Sequence, residues 1–298
     1  MTVFNGTDGN NNFVGTSGND IFIGSAGNDR FDGNGGSDIA DYSALNQAVT
    51  ILPQGRISKG GGLGTDTISE IERIIGAIDK TNVIDASSSA GGASISVNLN
   101  NENLTVNIPT IGRRSFAVEN FINVIGTAED DSITGNSDNN RLEGRDSDDT
   151  LNGGAGDDRL IGGDGNDRLT GANTLSGFGR GEIDTLTGGS GDDIFVLGAV
   201  ISGSDVVFYN DGSSSTGGRG DYALITDFGF ASDTFSRGED RIQLAGSRSN
   251  YSLGASPSGL PSGTGIFFNN GTSELIGILQ GVSLSSVSLT NSSQFFFV

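Results

Sequence analysis

A nine-residue register constrains this chain more than any other feature. From Gly6 the frame runs without slipping through 6–14, 15–23, 24–32 and 33–41. A second array runs through 126–134, 135–143, 144–152, 153–161 and 162–170. A longer unit at 171–187 carries an insertion near 175–181, and the frame returns at 188–196. One isolated unit stands at 61–69. The first position of both arrays is always Gly. The sixth is Asp20, Asp29, Asp38, Asp131, Asp149, Asp158, Asp167, Asp184 and Asp193, with Asn11 and Asn140 in the remaining units. The eighth is always apolar: Phe13, Phe22, Phe31, Ala40, Ile133, Leu142, Leu151, Leu160, Leu169, Leu186 and Phe195. A disordered Gly/Ser/Asn/Asp linker needs no apolar residue at a fixed offset from each Gly, so disorder is the weaker reading.

Each unit reads as a Gly-rich turn followed by a short strand. Gly permits the positive φ of a tight turn, and alternation along a strand sends the eighth residue inward and its neighbours outward. Two units make one coil, so residues two units apart stack. Asp131, Asp149 and Asp167 then form one column, with Asn140, Asp158 and Asp184 opposite. The predicted fold is all-β, a parallel β-roll or β-helix solenoid, followed by a non-repeat, β-rich C-terminal region. Two bare carboxylates ~4.8 Å apart repel by about 3–4 kcal/mol at an effective dielectric near 20. A column of them calls for cations.

The units 153–161 and 162–170, Gly-Gly-Ala-Gly-Asp-Asp-Arg-Leu-Ile and Gly-Gly-Asp-Gly-Asn-Asp-Arg-Leu-Thr, resemble the RTX, or haemolysin-type, calcium-binding repeat. The resemblance implies several Ca²⁺ ions between stacked turns, held by the sixth-position Asp and by turn carbonyls. It extends the ligand set to Asp66 in the isolated unit. Asn11 and Asn140 keep an oxygen without the charge, so their sites are expected to be weaker or differently built. Asp130, Asp148, Asp157 and Asp192, at fifth positions, read as solvated acids that lend only a carbonyl.

Charge and composition narrow the alternatives. The formal net charge is −21, and no basic run exists. That excludes a nucleic-acid footprint and makes cations the natural partners. With no His and no Cys, zinc sites of the His/Cys type, Ser-His-Asp triads and disulfide frameworks are excluded. No apolar run approaches a membrane span, and no apolar leader precedes Gly6.

Between the arrays, 42–125 reads as further coils of the same solenoid with few calcium ligands, or alternatively as an inserted hairpin layer. Residues 93–99 and 104–108 alternate apolar and polar side chains there. Ile68, Ile71, Ile74 and Ile75 share a face if that stretch makes a helical turn or two, and read as core. Residues 197–220 read as a Gly/Ser-rich loop. Residues 221–298 resemble the C-terminal region that follows RTX arrays, with Asp227 and Asp240 in Asp-Phe and Asp-x-Ile-x-Leu pieces. The tail Phe295–Val298 is similar to an uncleaved type I secretion signal, or is an edge strand on the roll.

These readings lead to a secreted, non-catalytic, calcium-binding structural protein. The frame starts at Gly6, which suggests an uncapped edge and head-to-tail assembly into a filament, surface layer or matrix. The alternative is a monomeric adhesin or an accessory module of a secreted enzyme or toxin system.

Overall fold

The computed structural model describes residues 1–212, 217–230 and 238–298. Residues 213–216 of the run read as a Gly/Ser-rich loop, and 231–237 of the C-terminal region, lie outside the described residues. The described chain is all-β, built mostly of parallel sheets in the manner of a β-roll. It divides into two compact units, Met1–Ile133 and Thr134–Val298. Among the described residues, no helix is long and apolar enough to cross a membrane.

In the first unit the nonapeptides alternate between two sheets. Thr2–Asn5, Asp20–Ile23, Ile39–Asp41 and Arg73–Ile75 pair in parallel in one. Asn12–Val14, Arg30–Asp32 and Gly64–Ser69 pair in parallel in the other. Register places the eighth residues over one another: Phe4, Phe22, Ala40 and Ile74 in the first sheet, Phe13, Phe31 and Ile68 in the second. The two rows of rings meet in the middle, with Phe22 and Phe31 stacked at 5.4 Å between centroids and both fully buried.

The stretch between the arrays differs from a plain continuation of coils. Ser94–Asn98, Asn103–Ile108 and Gly112–Glu119 form an antiparallel meander, as do Val49–Leu52, Arg56–Lys59 and Gly64–Ser69. Only Leu99–Asn101 and Glu102 separate the first two strands, too short a connection for a parallel crossover. The chain turns there because the Asn98 side chain accepts the Asn101 N–H at 2.9 Å and Glu102 adopts φ 54°. Parallel pairing resumes where Gly112–Glu119 meets Arg73–Ile75 and where Asn82–Asp85 meets Phe121–Ile125. The helical alternative for 68–75 is also corrected. Ile68 lies in the strand Gly64–Ser69 and Ile74 and Ile75 in Arg73–Ile75, with Ile71 in the break that follows Glu70 at φ 51°. Ile68, Ile71 and Ile74 are buried all the same.

In the second unit Arg141–Asp146, Arg159–Asp164, Ile183–Ser190, Tyr222–Ile225 and Ser273–Gln280 pair in parallel. Opposite them stand Thr150–Gly154, Arg168–Ala172, Ile194–Val196, Arg241–Leu244 and Phe295–Phe297. The second core column reads Leu151, Leu169, Phe195, Ile242 and Phe295, so the roll's register extends through the C-terminal tail. Part of 197–220 is ordered rather than loop: Gly198–Ile201 and Ser204–Val207 form a hairpin. A meander of Tyr251–Ala255, Gly263–Asn269 and Ser273–Gln280 completes this unit.

Candidate metal centre

The sixth-position residues stack into ladders through their own side chains. In the first unit the Asn11 N–H donates to Asp29 Oδ1 at 2.8 Å and the Asp29 N–H to Asp66 Oδ1 at 2.9 Å. On the other side the Asp20 N–H donates to Asp38 Oδ1 at 2.7 Å and the Asp38 N–H to Glu72 Oε2 at 2.7 Å. Asp131 accepts the Ile95 N–H at 2.6 Å. In the second unit one ladder links Asn140, Asp158 and Asp184, and the other links Asp149, Asp167, Asp193 and Asp240. All of these Asp and Asn residues except Asn11 are buried.

Each ladder uses one oxygen per carboxylate, and the fate of the other varies. Asp38, Asp158, Asp167 and Asp193 leave Oδ2 buried without a hydrogen-bond partner. Burial pushes Asp158 and Asp193 up to about 9, Asp184 and Asp240 to about 7 and Asp167 to about 6. Burial thus disfavours the charged form of each of these acids, and a cation beside them would favour it. Asp20 differs. The backbone N–H of Thr16 at 2.5 Å and its hydroxyl at 2.9 Å serve Oδ2, and the group is held down at about 2. Asn11 and Asn140 are closed by their own turns, accepting the N–H of Thr7 and Asn136, each at 2.8 Å.

Two columns contain protein groups beside the carboxylates. The Lys59 ammonium, fully buried on the strand Arg56–Lys59, lies 3.2 Å from Asp29 Oδ2 and also pairs with Asp66. It supplies a positive charge between two carboxylates assigned to calcium. The Tyr209 hydroxyl donates to Asp184 Oδ2 at 2.6 Å. Neither partner was visible in the nonapeptide pattern, because each arrives from a segment outside the frame. Asp240 was also missed as a column member. Its Asp-x-Ile piece matches positions six to eight of a unit, but an insertion separates it from Asp193.

The turns have the shape calcium needs. A Cβ on Gly162 would lie 2.1 Å from Asp167 Oδ2, and one on Gly188 would lie 2.1 Å from Asp193 Oδ2. A Cβ on Gly163 would meet the Arg145 carbonyl oxygen at 1.8 Å, and one on Gly189 the Gly163 carbonyl at 2.0 Å. The glycines therefore let turn carbonyls and bare carboxylate oxygens crowd into the same layer. Hard oxygens of this kind, six to eight per ion, are calcium's preferred set. The residues fit: Asp38, Asp149, Asp158, Asp167, Asp193 and the stacked turn carbonyls would hold the ions.

The fifth-position side chains are not merely solvated. Asp148 Oδ1 accepts the Asn166 N–H at 2.7 Å, and Asn166 Oδ1 accepts the Asp192 N–H at 2.8 Å. Asp157 Oδ1 accepts the Ile183 N–H at 2.8 Å, while Asn10 and Asn28 do the same in the first array. This ladder runs opposite in sense to the sixth-position one, since here the earlier residue supplies the acceptor. The signal was present in the sequence as Asn or Asp at this position in almost every unit.

An all-β roll whose stacked turns present buried carboxylates is consistent with the class of calcium-binding repeat proteins. The model of the RTX calcium-binding nonapeptide repeat matches this chain in four copies, at residues 5–40, 123–151, 143–173 and 178–200. No curated protein matches the chain. Among solved structures, the extracellular lipase LipA from Serratia marcescens is similar at 15% identity and a TM-score of 0.21, over 98% of this chain and 40% of the lipase. The chain thus spans well under two thirds of that enzyme's length, and a likeness this weak carries no argument. Proteins with RTX repeats are typically secreted.

Proposed function

We propose that this chain is a structural protein that folds on calcium outside the cell and has no catalytic activity of its own. The observation that carries this reading is the set of buried Asp oxygens without partners in the Gly-rich turns. Such groups destabilise an ion-free roll and stabilise an ion-loaded one, because a ligand that binds only the folded state adds its binding free energy to folding. Circular dichroism with and without chelator is the test. The β signal is expected to collapse in chelator and return with calcium; an unchanged signal overturns the reading.

A second observation favours head-to-tail assembly. Thr2–Asn5 and Asn12–Val14 are edge strands of the first unit's sheets. Their Phe4 and Phe13 are only half-buried, whereas Phe22 and Phe31 in the next coil are fully enclosed. Val3 and Val14 are exposed beside them. An unpaired parallel edge with a half-covered aromatic core templates another chain's strand, and a heterologous contact propagates as a fibre unless its rotation closes a ring. Electron microscopy and solution mass in calcium decide between fibres and the alternative, a monomeric adhesin or accessory module. Monodisperse single particles at high concentration would rule out assembly.

A further inference from the structure

The three carboxylates of Asp211, Asp221 and Glu274 each place an oxygen within 4.8 Å of the other two. None lies in the nonapeptide frame. Asp211 follows the hairpin that ends at Val207, Asp221 immediately precedes the strand Tyr222–Ile225, and Glu274 is the second residue of Ser273–Gln280. Strand pairing sets Ala223 beside Asp184, so the roll's own carboxylate ladder has no acid to continue it here. The cluster is therefore separate from the columns.

Asp221 is 1% exposed and Glu274 2% exposed. Asp221 accepts backbone N–H groups from Gly181 and Asp211, and Glu274 accepts the Gly212 N–H. Yet Asp221 Oδ2 and Glu274 Oε1 are buried without any hydrogen-bond partner. The arrangement repeats the logic of the RTX turns: backbone donors orient each buried carboxylate, and a second oxygen is left bare. Arg180, whose Nε donates to the Asn210 carbonyl at 3.1 Å, supplies one nearby positive charge against three acids. Burial pushes Asp221 up to about 6 and Glu274 to about 7, so this cluster too takes up a cation or a proton. Asp211 is only half-buried, which leaves a path by which an ion enters and water completes its shell.

We propose that Asp211, Asp221 and Glu274 form a calcium site outside the repeats. Three carboxylate oxygens plus water suit a hard divalent cation of flexible coordination. The ion joins segments far apart in sequence, tying the start of a roll strand to the C-terminal meander and to the loop after residue 207. It acts as a clamp on that meander rather than as another rung of a column.

Crystals of the full chain grown in calcium test this, with anomalous scattering measured at long wavelength. A peak between the three carboxylates is expected, alongside peaks in the Gly-rich turns that serve as the internal control. Filled turns with no peak at the cluster overturn the proposal without touching the RTX reading. In solution, Asp221→Asn combined with Glu274→Gln should bind one calcium fewer per chain by elemental analysis. The single isosteric Glu274→Gln, the gentler change, should weaken that one site at least tenfold. An unchanged ion count and affinity in either variant would mean that the acids merely share a proton, and the proposal fails.

Discussion

Two kinds of turn carry the same sixth-position acid and treat it oppositely. In Gly-Thr turns the second residue closes back on the sixth. Thr16 gives Asp20 both an N–H and a hydroxyl, and Thr127 gives Asp131 its N–H at 2.6 Å and its hydroxyl at 3.1 Å. In the Gly-Gly turns, Gly154, Gly163 and Gly189 adopt φ of 107°, 133° and 118°. Gly163 stays in the ladder between Arg145 and Gly189, so the strand runs on through Asp164 and the second residue does not close on the acid. Asp158, Asp167 and Asp193 are left with a bare oxygen. Thr or Gly at position two thus separates these turns into ones that complete their own hydrogen bonds and ones that leave an oxygen bare, and the unit 33–41, with Asn34 there, falls with the second kind because Asp38 Oδ2 has no partner.

The largest expected effect follows directly. Calcium removal should release the second unit's Gly-Gly coils, 150–196, before the Gly-Thr coils around Asp20 and Asp131. Hydrogen exchange in graded chelator measures it. Loss of protection in both sets at the same free calcium would break the comparison, since the local closure by Thr would then contribute nothing.

Acidity should sharpen it. Asp158 and Asp193 titrate near 9 in the ion-free fold because burial disfavours their charge. A raised carboxyl pKa means the stability is complete below the unfolded value, near 4, and is lost progressively as pH rises from there through about 9. In calcium-free buffer the residual β structure should therefore be greatest near pH 5 and fall away toward pH 9. Asp20, held near 2, contributes a constant amount over that window and loses it only in stronger acid. In calcium the trend should weaken or reverse, because the ion competes with the proton. A calcium-free β signal that rises with pH would contradict the buried-acid account.

Lys59 offers a sharper contrast, a built-in cation within one column. Lys59→Met leaves Asp29 and Asp66 buried together without their ammonium, a loss of about 3–5 kcal/mol when one partner of a buried ion pair is removed. At free calcium just sufficient to keep the fold, the protein should show most of that loss. Added calcium should recover part of it, because the two acids regain a positive partner. Destabilisation under 1 kcal/mol would place the lysine outside the column in solution.

Much of this was legible in the sequence. The frame gave the roll, its eighth-position core and the stacking of sixth-position acids two units apart, as Leu142 over Leu160 and Asp149 over Asp167 make plain. What escaped was whatever depends on contact across insertions. Lys59 reaches Asp29 from a hairpin 30 residues away, Tyr209 reaches Asp184 across 25, and Asp240 joins Asp193 across 47. A local pattern has no term for such meetings. The fifth-position ladder is a different failure. Its Asn and Asp were in view, but exposure suggested solvation, whereas their role is to accept a neighbouring coil's N–H. Asp157→Ala should therefore cost about 1 kcal/mol in calcium, and Asp157→Asn almost nothing, by denaturant unfolding. Equal effects of the two would show that charge, not hydrogen bonding, matters there.

The smallest effect concerns a turn that sits between the two kinds. The unit 144–152 has neither Thr nor Gly at position two. Arg145 occupies that place with φ 101°, and Ser147 follows with φ 76°. An L residue with a long side chain is strained there, whereas Gly163 and Gly189 hold the equivalent paired positions freely. The ladder partners on the next coil fix the backbone, so the strain persists in the folded state. Arg145→Gly should relieve it, and the gain is reduced by the greater freedom of Gly in the unfolded chain. The net expectation is a stabilisation of about 0.5–1 kcal/mol in calcium, read from the denaturant midpoint at unchanged slope. The substitution also makes the turn Gly-Gly in type, so Asp149 should bind calcium no less tightly than before. A destabilised variant would mean that contacts of the Arg145 side chain outweigh its backbone strain, and that position two tolerates a third solution.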